Sequence, residues 1–190
     1  MARKYEFKPD RPYSGFWGKL HLTRQQRRAV LKWALYALLL VGLSVLQDVL
    51  LCRLRLFGAT TELVPCGIFL ICLLEGMERG CVFVLVASLL YYFSGEAAGL
   101  YSVAVLTVLG TCAAWVRQSY LQRGFGAAML CTGAAMAVYE LTMFATGVFL
   151  GLTTFPRIFS FLLTAAMTMA VAPGIYFAAK AIGGGDAWKE

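Results

Sequence analysis

The chain has 190 residues, of which 60% are hydrophobic and only 14% are charged, with a formal net charge of +7. This fraction of charged residues is too small for the surface of an ordinary water-soluble domain, so the composition excludes that class of protein. Long apolar runs separated by short charged breaks instead predict an all-α integral membrane protein with several transmembrane helices.

The positive charge is concentrated in a basic N-terminal arm, residues 1–28, which precedes the first apolar run. Residues 1–32 hold nine Lys or Arg and two acids, whereas the remaining residues carry eight of each. Such an arm could bind nucleic acid, bind anionic lipid, or hold the first helix end in the cytoplasm. We favour cytoplasmic retention, with anionic lipids as additional partners, and we expect no nucleic-acid binding.

Six apolar segments predict six transmembrane helices within a domain spanning residues 29–182, followed by a short cytoplasmic tail, 183–190. Their predicted bounds are 29–51, 63–74, 80–93, 100–116, 124–152 and 158–182. The second and third segments are shorter than the ~20 residues that a full span needs. They could be tilted, shielded by neighbouring helices, or re-entrant, so five spans is the alternative.

The distribution of Lys and Arg predicts that both termini are cytoplasmic. With six spans and the N-terminus inside, fourteen Lys or Arg fall on the cytoplasmic side and three on the outer side. This asymmetry agrees with the positive-inside rule. The chain is therefore expected to be a multi-pass membrane protein with an N-in, C-in topology.

The sequence EGMERG, residues 75–80, interrupts the apolar runs and predicts a cytoplasmic hairpin turn whose charges lie in water. Glu75 and Arg79 are four residues apart and can pair if the turn is helical. Glycines spaced by four residues occur here and in two further places, and they either allow tight turns and close helix packing or form a docking face for another membrane protein. They are Gly76, Gly80, Gly95, Gly99, Gly147 and Gly151.

Glu140 is the residue that most strongly suggests a site, because it has sixteen uncharged residues on each side. An ionisable group at membrane depth is costly and marks a candidate functional position. In the predicted topology Gln47 and Asp48 reach a similar depth in the outer half of the membrane. We therefore expect a polar cluster of Gln47, Asp48 and Glu140 with an arginine, Arg53 or Arg55.

This cluster has two interpretations, a hydrogen-bonded clamp between helices or a site for a partner or ligand. A proton relay is disfavoured, because no second buried acid or histidine is evident in the sequence. The only histidine is His21, in the basic arm, and the cysteines lack metal-ligand spacing. No catalytic group, metal or cofactor is predicted.

The central segment, residues 61–110, resembles the MreD family of bacterial rod-shape-determining membrane proteins. The similarity lies in the order of helix, glycine turn and Leu-rich helix ending in Ser94-Gly95, followed by Gly99 and another apolar helix. The Leu46-Gln47 pair is also similar to the family. Two positions differ, since Thr61-Glu62 replaces the usual Pro-Asp or Pro-Asn, and Tyr91 replaces an acid.

The resemblance implies a non-enzymatic scaffold of the cell-elongation machinery, which positions peptidoglycan synthesis to maintain rod shape. The implied partner is an MreC-like protein that spans the membrane once, together with other proteins of the elongation complex. MreD is also similar in fold to the substrate-binding subunits of energy-coupling-factor vitamin transporters. A transporter subunit is therefore the alternative function, although the few polar groups expected in the outer half favour the scaffold.

Overall fold

A computed structural model describes residues 24–49, 61–120 and 124–183, in which all regular secondary structure is helical. Six α-helices occupy the six predicted apolar segments. The basic arm up to residue 23, the segment 50–60 with Arg53 and Arg55, residues 121–123 and the tail beyond 183 lie outside the described residues. The helices are α1 (Arg24–Val49), α2 (Leu63–Glu75), α3 (Met77–Phe93), α4 (Leu100–Tyr120), α5 (Phe125–Phe149) and α6 (Ile158–Gly183), and a 3₁₀ turn at Phe155–Arg157 precedes α6.

Four segments are long and apolar enough to cross a membrane, which supports the predicted class of all-α membrane protein. At about 1.5 Å per residue they are all long enough for a hydrocarbon core of ~30 Å. The helix α2 has only 13 residues and spans about 20 Å on the same rule. The four segments are Ala29–Val49, Leu100–Ser119, Phe125–Phe149 and Phe155–Gly183.

The short helix α2 lies at the centre of the fold, in contact with all five other helices. Every residue from Leu63 to Leu73 is buried, so its apolar side chains meet protein on all sides rather than lipid. The short second segment could be tilted, shielded by neighbouring helices or re-entrant, and the structure therefore favours shielding by neighbouring helices. This central position means that both ends of α2 are enclosed by side chains from other helices.

A single residue, Gly76, joins α2 to α3, and its φ of 83° lies in the left-handed region that favours glycine. Gly80, one turn later, packs directly on α2. A Cβ atom at Gly80 would lie 2.6 Å from the backbone oxygen of Cys72. The two helices can approach this closely only because position 80 carries no side chain.

The prediction that the charges of this turn lie in water is wrong for Glu75, whose side chain is only 4% exposed. Lys32 Nζ lies 2.6 Å from Glu75 Oε1, and the Tyr36 hydroxyl donates to the same carboxyl oxygen at 2.6 Å. Arg79 is exposed, and the described part of the chain contains no Glu75–Arg79 ion pair. Glu75 thus connects α2 to α1. A buried carboxylate without a charged partner is strongly destabilising, so the contact with Lys32 matters more for stability here than it would in water.

The remaining predicted glycines lie at helix ends and in loops rather than on helix faces. Gly95 and Gly99 flank the loop between α3 and α4 with φ values of 82° and 151°, and Gly151 follows α5 with a φ of 69°. A Cβ at Gly147 would lie 3.0 Å from Thr153 Cγ2 in the next loop. Their placement fits tight turns, and none of these four forms a helix-docking stripe in the described residues.

Candidate functional site: a buried pair of carboxyl groups

The two ends of α2 define two ends of the helical bundle with opposite charge. Near Glu75 lie Lys32 and Arg117, the latter donating from Nη1 to the carbonyl of Leu73. The other end, at Glu62, contains most of the acids in the described residues. These are Asp48, Glu62, Glu96 and Glu140. The acids come together although they belong to α1, α5 and two connecting segments.

The backbone at the start of α2 is held by side chains from two other helices. The amide of Glu62 donates to Thr168 Oγ1 of α6 at 3.0 Å. The side-chain oxygen of Gln47, from α1, accepts from the amides of Leu63 at 2.8 Å and Val64 at 3.4 Å. Gln47 therefore supplies the cap that α2 lacks, since Glu62 makes no side-chain capping bond.

Glu140 lies on α5 beside this helix start and is only 2% exposed. Its carboxyl group interacts electrostatically with that of Glu62, and we call these two groups the carboxyl pair. Glu140 Oε1 and Glu62 Oε2 are both buried and have no hydrogen-bond partner. Most buried polar atoms in proteins are satisfied, so two unsatisfied oxygens in adjacent carboxyl groups require a physical explanation.

Two tyrosines interact with the carboxyl pair. Tyr91 of α3 interacts with Gln47, Glu62 and Glu140. Tyr139, next to Glu140 on α5, interacts with the same two acids, and its ring packs edge-on against Phe69 of the central helix at 6.4 Å. The surroundings are therefore aromatic and largely closed to water, which strengthens electrostatic interactions within them.

Asp48 lies at the same end of the bundle as the carboxyl pair but is not one of its two groups. It lies exposed near the end of α1, where its charge acts on Glu96 in the loop between α3 and α4. Burial and then the neighbouring Asp48 carboxylate raise the pKa of Glu96, while hydrogen bonds to Ser44 and Ser94 lower it. Gln47 and Glu140 both interact with Tyr91, and the two predicted arginines are outside the described residues.

The sequence prediction missed the second acid of the pair, Glu62, whose buried carboxyl oxygen removes the premise of the argument against a proton relay. In the sequence, Glu62 stands out only as a departure from the MreD pattern. Tyr91 is the other departure, and both side chains lie in this cluster. The interaction between Glu62 and Glu140 joins segments that are far apart in sequence, so local sequence patterns do not indicate it.

The donor set of the cluster suits small-cation or hydrogen-bond chemistry rather than a transition metal. Among residues 24–49, 61–120 and 124–183 there is no group of three or more His, Cys, Asp or Glu placed to hold a metal ion. The carboxyl pair can accept a proton or a donor group from another molecule.

A second feature is an apolar groove of about 400 Å³ on the outside of α1, which we call the α1 groove. Its lining residues are Leu35, Leu38, Leu39, Gly42, Leu43, Leu46 and Ile182. A Cβ at Gly42 would meet nothing within 4 Å, so this glycine is not explained by packing within the chain. The groove runs along the helix that contributes Gln47 to the cap of α2.

Comparisons of the chain with protein-family models, with curated proteins and with solved structures find no match. The similarity to MreD therefore rests on the sequence motifs alone.

Proposed function

We propose that the chain is a non-enzymatic membrane scaffold of the bacterial cell-elongation machinery. It binds an MreC-like protein that spans the membrane once, and it helps to position peptidoglycan synthesis. The observation that carries the proposal is the α1 groove, because a single transmembrane helix is the simplest occupant of an apolar groove along a membrane helix. The MreD-like central segment supports the identity of that helix.

The packing of α1 supports a docking role for this helix. It contacts mainly α2 and α6, and only 11% of its most apolar stretch is buried. Lipid covers such a face as readily as protein does, so hydrophobicity alone does not drive docking there. Gly42 makes this face specific for a partner helix, because a small residue in a groove permits the close backbone approach that stabilises helix pairs in lipid.

We propose six crossings with both termini in the cytoplasm. The described Lys and Arg support this orientation, since Lys32, Arg117 and the C-terminal end of α6 meet at the Glu75 end of the bundle. The shielding of α2 supports a crossing that is shorter than usual. In intact cells, an impermeant thiol reagent should fail to label cysteines introduced at residues 5 and 188, and labelling at either would contradict this topology.

The docking proposal is tested by recovery of the partner with two matched glycine variants. Gly42→Leu fills the α1 groove, whereas Gly174→Leu adds the same side chain to an exposed site on α6 where a Cβ also meets nothing within 4 Å. Both changes replace a helical glycine by leucine, so their effects on helix propensity are similar. The MreC-like protein of the same cell is co-expressed and purified with each variant.

The proposal expects Gly42→Leu to reduce recovery of the partner at least tenfold, which corresponds to about 1.4 kcal/mol, while Gly174→Leu retains it. Membrane insertion and melting temperature should be unchanged in both variants. Equal recovery with the two variants would refute the α1 groove as the docking face. Absence of any complex with the wild-type chain would refute the scaffold function itself.

A substrate-binding subunit of an energy-coupling-factor-type vitamin transporter is the second candidate. The carboxyl pair favours it, because buried carboxyl oxygens without partners are suited to binding a ligand with hydrogen-bond donors. Vitamins can be titrated into the purified protein by calorimetry. Tight, saturable binding that Glu140→Leu abolishes would support the transporter and displace the scaffold, whereas no heat beyond dilution would exclude it for the vitamins tested.

A further inference from the structure

We propose that Glu62 and Glu140 form a proton-binding site that holds one proton between their two carboxyl groups in the folded protein. The site lies where the start of the central helix α2 meets α5. It is independent of the docking proposal, because it concerns the interior of the bundle rather than the outer face of α1.

The first argument is that one proton satisfies both unpaired oxygens. Glu62 Oε2 and Glu140 Oε1 are buried acceptors without donors, and they belong to neighbouring groups. An ionised carboxylate can only accept hydrogen bonds, whereas a protonated carboxyl offers one O–H donor. Binding of one proton converts one carboxylate to a carboxylic acid, whose O–H then donates to an oxygen of its neighbour.

The second argument is the charge around the pair. Two ionised carboxylates in one buried site repel each other, and such pairs characteristically share a proton. No Lys or Arg among the described residues forms a salt bridge with either acid. The positive end of α2 can offset part of one negative charge, but not two.

Among residues 24–49, 61–120 and 124–183, the groups that face the pair from each neighbouring helix do not provide a cation. From α1 come Gln47 and, farther out, Asp48, while α6 contributes the hydroxyl of Thr168. The titratable groups of α3, α4, α5 and the connecting loop near the pair are Tyr91, Tyr101, Tyr139 and Glu96. None of these groups is a cation, so none of them supplies a positive charge that would stabilise two ionised carboxylates in the pair.

A proton fits the site better than a metal ion. An alkali or alkaline-earth ion needs about six oxygen ligands, and the best neutral one, Gln47 Oε1, already accepts from two backbone amides. Glu62 and Glu140 also do not belong to any described group of three potential metal ligands. A proton requires only the two carboxyl groups themselves.

The site couples protonation to helix packing. Loss of the proton leaves two negative charges between the start of α2 and α5, where Gln47 and Thr168 hold the backbone in place. We therefore expect alkaline pH to loosen the contact between these helices before the rest of the bundle opens.

The test is infrared spectroscopy of the full-length protein, purified in lipid nanodiscs and labelled with ¹³C-glutamate, across a pH series. Ordinary glutamates, with a pKa of about 4.3, are ionised at neutral pH and give no carboxylic-acid band. The proposal expects such a band at neutral pH, shifted by ¹³C-glutamate and by D₂O, and lost at alkaline pH. Because the labelled wild-type protein alone shows this, the test does not depend on a variant that folds.

Glu140→Gln and Glu62→Gln should each remove the band, whereas Glu78→Gln, at an exposed acid on α3, should retain it. Absence of the band in the labelled wild-type protein at neutral pH would overturn the proposal. Persistence of the band in both Gln variants would also overturn it. If the protein lacks the band and its melting temperature depends on the concentration of sodium chloride but not of choline chloride, the site binds a metal ion rather than a proton.

Discussion

Gln47 on α1 accepts a hydrogen bond from the backbone amide of Leu63, at 2.8 Å, and so caps the central helix from a neighbouring one. The first amides of a helix have no partner within it, and inside a membrane no water replaces that partner. The start of α2 is therefore stabilised by a residue sixteen positions earlier in the chain. This one contact positions Glu62, and with it the carboxyl pair.

Gln47→Leu should lower the free energy of unfolding by about 1 kcal/mol, the typical cost of losing a helix cap. Leucine removes the acceptor while preserving an apolar side chain of similar size. Thermal unfolding in detergent measures the effect, with Asp48→Asn at the adjacent exposed position as the control. Equal melting temperatures for Gln47→Leu and Asp48→Asn would show that the cap contributes nothing measurable.

The sequence predicted the position of every helix well, because apolar runs and charged breaks mark helices in membrane proteins directly. The starts of α4 and α6 coincide with the predicted bounds at residues 100 and 158. The start of α1 is earlier than predicted, at Arg24, since polar residues extend a helix beyond its apolar stretch. Composition does not reveal that α2 is the central helix, which depends on contacts with all five others.

The candidate site was predicted only in part, because its contacts join distant segments. Glu140 was evident as an isolated acid in a long uncharged run. Its partner Glu62 precedes a helix and is not distinguishable by sequence alone from a solvated polar residue. Likewise, Glu75 was assigned to water because its neighbours in sequence are charged, whereas its partner Lys32 is 43 residues away.

Gly80→Ala should destabilise the packing of α3 on α2. The new Cβ would lie 2.6 Å from the backbone oxygen of Cys72, and a backbone atom cannot move aside as a flexible side chain can. We expect a loss of about 1–3 kcal/mol, the usual cost of overpacking, despite the better helix propensity of alanine. Gly126→Ala, where a Cβ meets nothing within 4 Å, is the control in thermal unfolding.

A melting temperature for Gly80→Ala equal to or above that of Gly126→Ala would contradict the close approach of α2 and α3 at this position.

Lys32→Met should leave the buried Glu75 carboxylate with the Tyr36 hydroxyl as its main partner. We expect a loss of about 2 kcal/mol, below the usual range for fully buried pairs, because the Lys32 side chain is 22% exposed. The double variant Lys32→Met/Glu75→Gln should recover part of this loss, since it also removes the unpaired charge. A loss of stability in the double variant equal to the sum of the losses in the two single variants, measured by thermal unfolding, would indicate that the two side chains do not interact.

Glu96→Gln should make stability less dependent on pH. Burial raises the pKa of Glu96 in the folded protein, so its stabilising contribution is greatest at low pH and falls as pH rises through the folded-state pKa. The variant should therefore melt at a higher temperature than the wild type at pH ~7, and the difference should vanish well below pH ~4.3. A difference that is constant across pH would contradict this assignment.

The scaffold account is tested most directly by site-specific photo-crosslinking in living cells. A photoreactive amino acid is placed at Leu38 in the α1 groove, 66% exposed, or at Phe177 on α6, 61% exposed. The account predicts that Leu38 forms a crosslink to the MreC-like single-span protein, identified by mass spectrometry, and that Phe177 does not. Crosslinks to that protein from Phe177 alone, or from neither position, would contradict docking on α1.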